Sequence, residues 1–130
     1  MDEGDYRDIR DRRESHARRE RRKPMPKYLF KVKLTVDGLK GLLEEGGTTR
    51  REVVERLVQS MGGRLESAYW ALGEEDFYLT ADLPGNTSAA ALGLVTSAAG
   101  GVRTNTVALL TAEEIDEAVH QEVDYRAPGA

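Results

Sequence analysis

The chain contains no cysteine and two histidines, His16 and His120. The missing thiols exclude a disulfide framework, a thiolate zinc site and a cysteine nucleophile. Histidines this few and this far apart give no His-rich metal centre, and the lack of an axial histidine in the central part of the chain argues against haem. No stretch approaches the roughly 18 consecutive apolar residues of a membrane helix. The first 24 residues are charged where a secretory signal would be apolar, so the expectation is a soluble cytoplasmic protein. What remains, at 130 residues, is one domain of ordinary size with a core large enough to fold without staples.

Charge divides the chain. Residues 1–24 hold nine Arg/Lys and seven Asp/Glu, whereas residues 25–130 hold ten and sixteen together with nearly all the hydrophobic residues. A segment so polar buries too little apolar area to offset the entropy of ordering it, so residues 1–24 are expected to form a disordered or marginally helical arm. Its basic end, Arg18-Arg19-Glu20-Arg21-Arg22-Lys23, raises nucleic-acid contact as one alternative. The interleaved acids weaken that field and no aromatic platform accompanies it, so a solvated tail is preferred and nucleic acid is not the expected partner.

From Lys27 to Val36 the residues Tyr28, Phe30, Val32, Leu34 and Val36 alternate with Lys31, Lys33 and Thr35, the period of a half-buried strand. After a Gly-bearing stretch, Thr49-Arg50-Arg51-Glu52 fits a capping box. Val53, Val54, Leu57, Val58 and Met61 then recur at helical spacing until Gly62-Gly63. Leu65–Leu72 and Phe77–Leu83 pattern as strands joined by the turn Gly73-Glu74-Glu75-Asp76. Asn86 or Thr87 is expected to cap a small-residue helix reaching Ala99, Gly100-Gly101 ends it, and Val102–Leu109 is a fourth strand. Thr111 and Glu114 form another capping-box pattern, with Ile115, Ala118 and Val119 expected to face inward. Residues 120–130 are expected to be a flexible tail.

The order β-α-β-β-α-β, with a Gly-Gly pair closing each helix, predicts an α+β ferredoxin-like sandwich. A four-stranded antiparallel sheet carries both helices on one face, and an extra helix follows at the C-terminus. The other face then holds Leu29, Lys31, Lys33 and Thr35, with Tyr78, Thr80 and Asp82, and with Arg103, Asn105, Val107 and Leu109. Such a mixture suits neither water alone nor a dry core. A two-fold partner is therefore expected to cover it, making a homodimer or higher homo-oligomer around a polar-lined cavity.

Several stretches are similar to the GYD domain family: Met25-Pro26-Lys27-Tyr28-Leu29-Phe30, Asp37-Gly38-Leu39-Lys40-Gly41-Leu42-Leu43, Arg51 to Val58, Met61-Gly62-Gly63-Arg64-Leu65, and Asp82-Leu83-Pro84 followed by Ala89-Ala90-Ala91. The resemblance spans about residues 25–118. It implies a ferredoxin-like domain, bounded here as 25–119, assembled as a dimeric α/β barrel, and it implies no particular reaction. Gly73 and Asp76 stand at the turn that names the family, with Glu75 where its tyrosine usually sits.

Lys31, Lys33, Trp70, Tyr78, Arg103 and Asn105 are the candidate ligand-binding residues, offering ammonium, guanidinium, amide and phenol donors with two aromatic surfaces. The weighing counterpart for each is interface packing or a solvated rim. Glu74, Glu75, Asp76 and Asp82 lack the spacing of a calcium loop, Gly46-Gly47-Thr48-Thr49-Arg50 lacks the lysine of a nucleotide loop, and no Ser-His-Asp set can be assembled. No metal or cofactor is therefore expected. The function expected is small-ligand binding or structural pairing by a homodimeric barrel. A cofactor-independent enzyme of oxygenase or isomerase type, acting on a small organic metabolite, is the alternative.

Overall fold

The computed structural model describes residues 24–130; the expectations for the N-terminal arm lie outside the described residues. Four strands, β1 (Lys27–Leu34), β2 (Arg64–Trp70), β3 (Phe77–Asp82) and β4 (Val102–Leu109), pair antiparallel in the order β2-β3-β1-β4. Three helices, α1 (Val36–Ser60), α2 (Asn86–Ala98) and α3 (Ala112–Val119), complete the chain. This is the expected ferredoxin-like α+β arrangement.

The core lies under α1 and α2. Phe30, Val58, Leu83 and Ala81 are fully buried, with Tyr28, Val32, Phe77, Leu79, Ala89 and Leu92 around them. The Tyr28 hydroxyl donates to Asn86 Oδ1 at 2.6 Å, so the one phenol drawn into this core keeps a partner.

The end of α1 closes as expected. Gly62 takes φ 79°, and the amides of Gly62 and Gly63 donate to Gln59 O and Val58 O at 3.0 and 3.1 Å, a Schellman arrangement. Gly63 has a second reason to lack a side chain, since a Cβ there would run into the Asp82 carbonyl and come within 2.7 Å of Leu83 Cδ2. Gly100 repeats the left-handed stop after α2 with φ 91°.

The start of α1 differs from expectation. The strand ends at Leu34, Thr35 caps the helix by accepting from Gly38 N at 3.2 Å, and Val36 and the stretch expected to be a loop are helical. Gly46, at φ 81° and ψ 169°, breaks the helix into two segments. Thr49 lies inside the second segment and is exposed, so it caps nothing. Thr35 also donates from Oγ1 to Gly100 O at 2.8 Å and from its amide to Gly101 O at 3.1 Å. Gly38 packs so closely on Gly101 that a Cβ could not be accommodated. Gly38, which argues against a helix by propensity, is thus required by a close approach of two backbones.

Neither Asn86 nor Thr87 caps α2; the N-cap is Gly85, with no side-chain hydrogen bond. The Thr111 capping box forms in both halves, Glu114 N to Thr111 Oγ1 and Thr111 N to Glu114 Oε1, each at 3.1 Å. Ile115 and Val119, expected to face inward, are 46% and 74% exposed. Ala118, expected inward with them, is exposed as well, and no residue of this amphipathic helix is buried among the described residues.

Candidate functional site

Two features compete for a functional role, one on each face of the sheet. Across the uncovered face, strand register aligns Tyr69, Tyr78, Lys31 and Asn105 in one row. The next row inward from the β1 start holds Ser67, Thr80, Leu29 and Val107, with the Ser67 and Thr80 hydroxyls hydrogen-bonded at 2.6 Å. Lys27 pairs with Asp82 at 2.8 Å and with Glu66, and Arg64 approaches Asp82 at 3.6 Å, making an ionic edge. Lys33 and Arg103 face each other as register partners, two cations side by side on an exposed corner. Five of the six residues singled out from the sequence therefore do share this face. Lys31, Tyr78 and Asn105 form one row, and Lys33 and Arg103 stand beside it.

Trp70 does not join them. A bulge between Leu65 and Ser67 shifts the alternation of β2, so that Tyr69 points to the open face and Trp70 to the helix face. There its ring stacks on Phe77 with centroids 4.4 Å apart and planes at 29°. The indole edge lies against α1 just after its break: a Cβ on Gly47 would come within 2.9 Å of Trp70 Nε1. Glycine at position 47 makes room for the tryptophan.

That indole borders the second feature, a cavity of about 310 Å³ between the sheet, α2 and the segment of α1 that follows Gly46. Phe30, Val32, Phe77 and Leu79 form its floor, Val53, Val54, Leu57 and Val58 one wall, and Leu92, Thr96 and Ala99 the other. The space follows from sequence. α2 is built of small residues and sits close on β4, with Gly93 so near that a Cβ would meet Thr104 Oγ1 at 3.2 Å. A helix drawn down onto one edge of the sheet with short side chains leaves the gap toward α1 unfilled.

The polar groups at the cavity are few. Thr96 donates its hydroxyl to Leu92 O at 2.7 Å, and Thr104 shares a 3.4 Å contact with Ser97. Among the described residues Arg50 is the single ionisable residue of the lining, and its Nε donates to Glu45 Oε1 across the Gly46 break. A size near the lower bound for ligand pockets, about 300 Å³, with an apolar wall and a few placed donors, is the usual composition of a small-molecule site. Sequence reasoning missed Arg50 as a candidate because Thr49-Arg50-Arg51-Glu52 reads as a capping box and Gly46–Arg50 lacks the lysine of a nucleotide loop. Its spacing with Val53, Val54 and Leu57 was the available signal.

The family-naming turn has a structural explanation. Asp76 accepts from Leu34 N at 2.8 Å through Oδ2 and donates its own amide to Val32 O at 3.0 Å, tying the β2–β3 hairpin to the end of β1. Gly73 stands in open space. Among the described residues no group of three or more acidic or histidine side chains is placed to hold a metal, and no helix is long and apolar enough to cross a membrane.

No curated protein and no solved structure shows significant similarity to the chain. The profile of the GYD domain, however, matches residues 28–119, from the first strand to the end of α3, and the chain belongs to the GYD domain family.

Proposed function

We propose that this protein is a small-molecule-binding homodimer in which each subunit takes one organic ligand between its sheet and its helices. The observation that carries the reading is the apolar cavity of about 310 Å³ with its few polar groups at Arg50, Thr96 and Thr104. Its lining offers donors and an aromatic surface but no carboxylate, lysine or imidazole among the described residues, which favours binding over proton-transfer chemistry. Pairing is supported by the uncovered sheet face, where Leu29, Tyr69, Val107 and Leu109 stand among hydroxyl and charged groups. The candidates Lys31, Lys33, Tyr78, Arg103 and Asn105 then serve subunit recognition.

Native mass spectrometry of the gently purified full-length protein tests both parts. The expected species is a dimer with a reproducible added mass per subunit, which Ala99→Phe removes by filling the cavity while leaving the dimer intact. A monomer overturns the pairing, and an added mass that survives Ala99→Phe overturns the site.

A further inference from the structure

We infer that the cavity takes a flat organic acid, its ring against Trp70 and its carboxylate on Arg50, a specificity that rests on the cavity being a ligand site. Arg50, Val53, Val54 and Leu57 lie at i, i+3, i+4 and i+7 on α1, one stripe of the helix turned to the cavity. Gly47, one turn earlier on that stripe, faces the Trp70 indole so closely that a Cβ there would come within 2.9 Å of Nε1. The guanidinium and the indole therefore flank the same end of the cavity, and both are 39% exposed, as groups at a mouth are.

The Nε bond to Glu45 orients the guanidinium plane and leaves the Nη edge of a five-donor fork for a second acceptor. A planar carboxylate matches that edge with two parallel hydrogen bonds. Apart from the Thr96 and Thr104 hydroxyls the lining is apolar, which holds a ring and offers no second charged anchor among the described residues. Glu45 gives the idea a signature. It competes for the same guanidinium, so its charge opposes an acid in the site.

The test uses 2-naphthoate and its neutral analogue 2-naphthylmethanol, followed by calorimetry and by the indole N–H resonance of Trp70, the single tryptophan of the chain. The acid is expected to bind about tenfold or more tighter than the alcohol, the size of a charge-assisted pair. Arg50→Gln should erase that preference, whereas Glu45→Gln should increase it. Because both variants break the same ion pair, opposite signs separate anion recognition from a structural role for the bridge. Equal affinities for the two probes, or parallel losses in the two variants, overturn the acid specificity and leave the ligand site standing. If neither probe moves the indole resonance, the site falls as well.

Discussion

Along β1, Tyr28, Phe30 and Val32 are 2%, 0% and 7% exposed, while the intervening Leu29 and Lys31 stay half-buried and Lys33 is exposed. The same alternation runs through β3, where Phe77, Leu79 and Ala81 are buried and Tyr78, Thr80 and Asp82 are not. One face of the sheet is finished within the chain: its side chains meet α1 and α2 and enclose the cavity. The other is left with ordered rows of phenol, hydroxyl, amide and ammonium groups interspersed with Leu29, Val107 and Leu109. Adjacent residues of one strand thus meet different surroundings, the core on one side and an uncovered face, proposed above to pair two subunits, on the other. That separation is available only to a sheet with a single covered face.

The contrast breaks first at Phe30. Truncation to alanine at a fully buried aromatic is expected to cost about 3–5 kcal/mol in urea-induced unfolding. A loss under about 1 kcal/mol would mean that the helix-covered face is not the core. Gly63→Ala should follow at about 1–3 kcal/mol, through overpacking against the Asp82 carbonyl and Leu83 rather than through lost burial.

The open face should respond in a different quantity. Val107→Asp is expected to turn the proposed dimer into a monomer in sedimentation equilibrium while the far-UV circular dichroism stays that of the parent. The thermal midpoint, which rises with protein concentration for an associating chain, should lose that dependence in the variant. A Val107→Asp protein that remains dimeric would place the subunit contact elsewhere, with the exposed apolar side of α3 the next surface to probe.

Much of this division is legible in sequence because it depends on local rules. The two-residue period of β1 names its buried face, the Gly62-Gly63 stop follows from the left-handed conformation only glycine enters easily, and Thr111 with Glu114 spells out its own cap. What escapes depends on contacts between distant segments. The bulge that sends Trp70 beneath the helices leaves no trace in the residues of β2. Gly38 and Gly41 disguise the first turns of α1 as a loop, and the reason for Gly38 is Gly101, far along the chain. The cavity is a matter of how two helices sit, so none of its lining except Trp70 is among the candidates, and the residues of β2 leave open whether Tyr69 or Trp70 takes the helix face. Ile115 and Val119 show the converse case: a pattern prepared for burial says nothing of what will bury it.

A substitution touching neither face should register in neither measurement, and Thr49 provides that control. Thr49-Arg50-Arg51-Glu52 has the spacing of a capping box, which would put the cost of losing its hydroxyl near 1 kcal/mol, the ordinary value for a cap. The helix is already under way there. Gly46 supplies the non-helical conformation that opens the second segment of α1, and Thr49 sits three residues into it with its side chain in solvent. Thr49→Ala is therefore expected to change unfolding free energy by less than about 0.5 kcal/mol, as exposed substitutions do. Thr35→Ala, which removes a hydroxyl that accepts from Gly38 N and donates to Gly100 O, should cost about 1 kcal/mol or more. If Thr49 proved the more costly of the two, the second segment of α1 would be held by its own cap. The Gly46 break would then be a true chain reversal point between two helices rather than a bend within one.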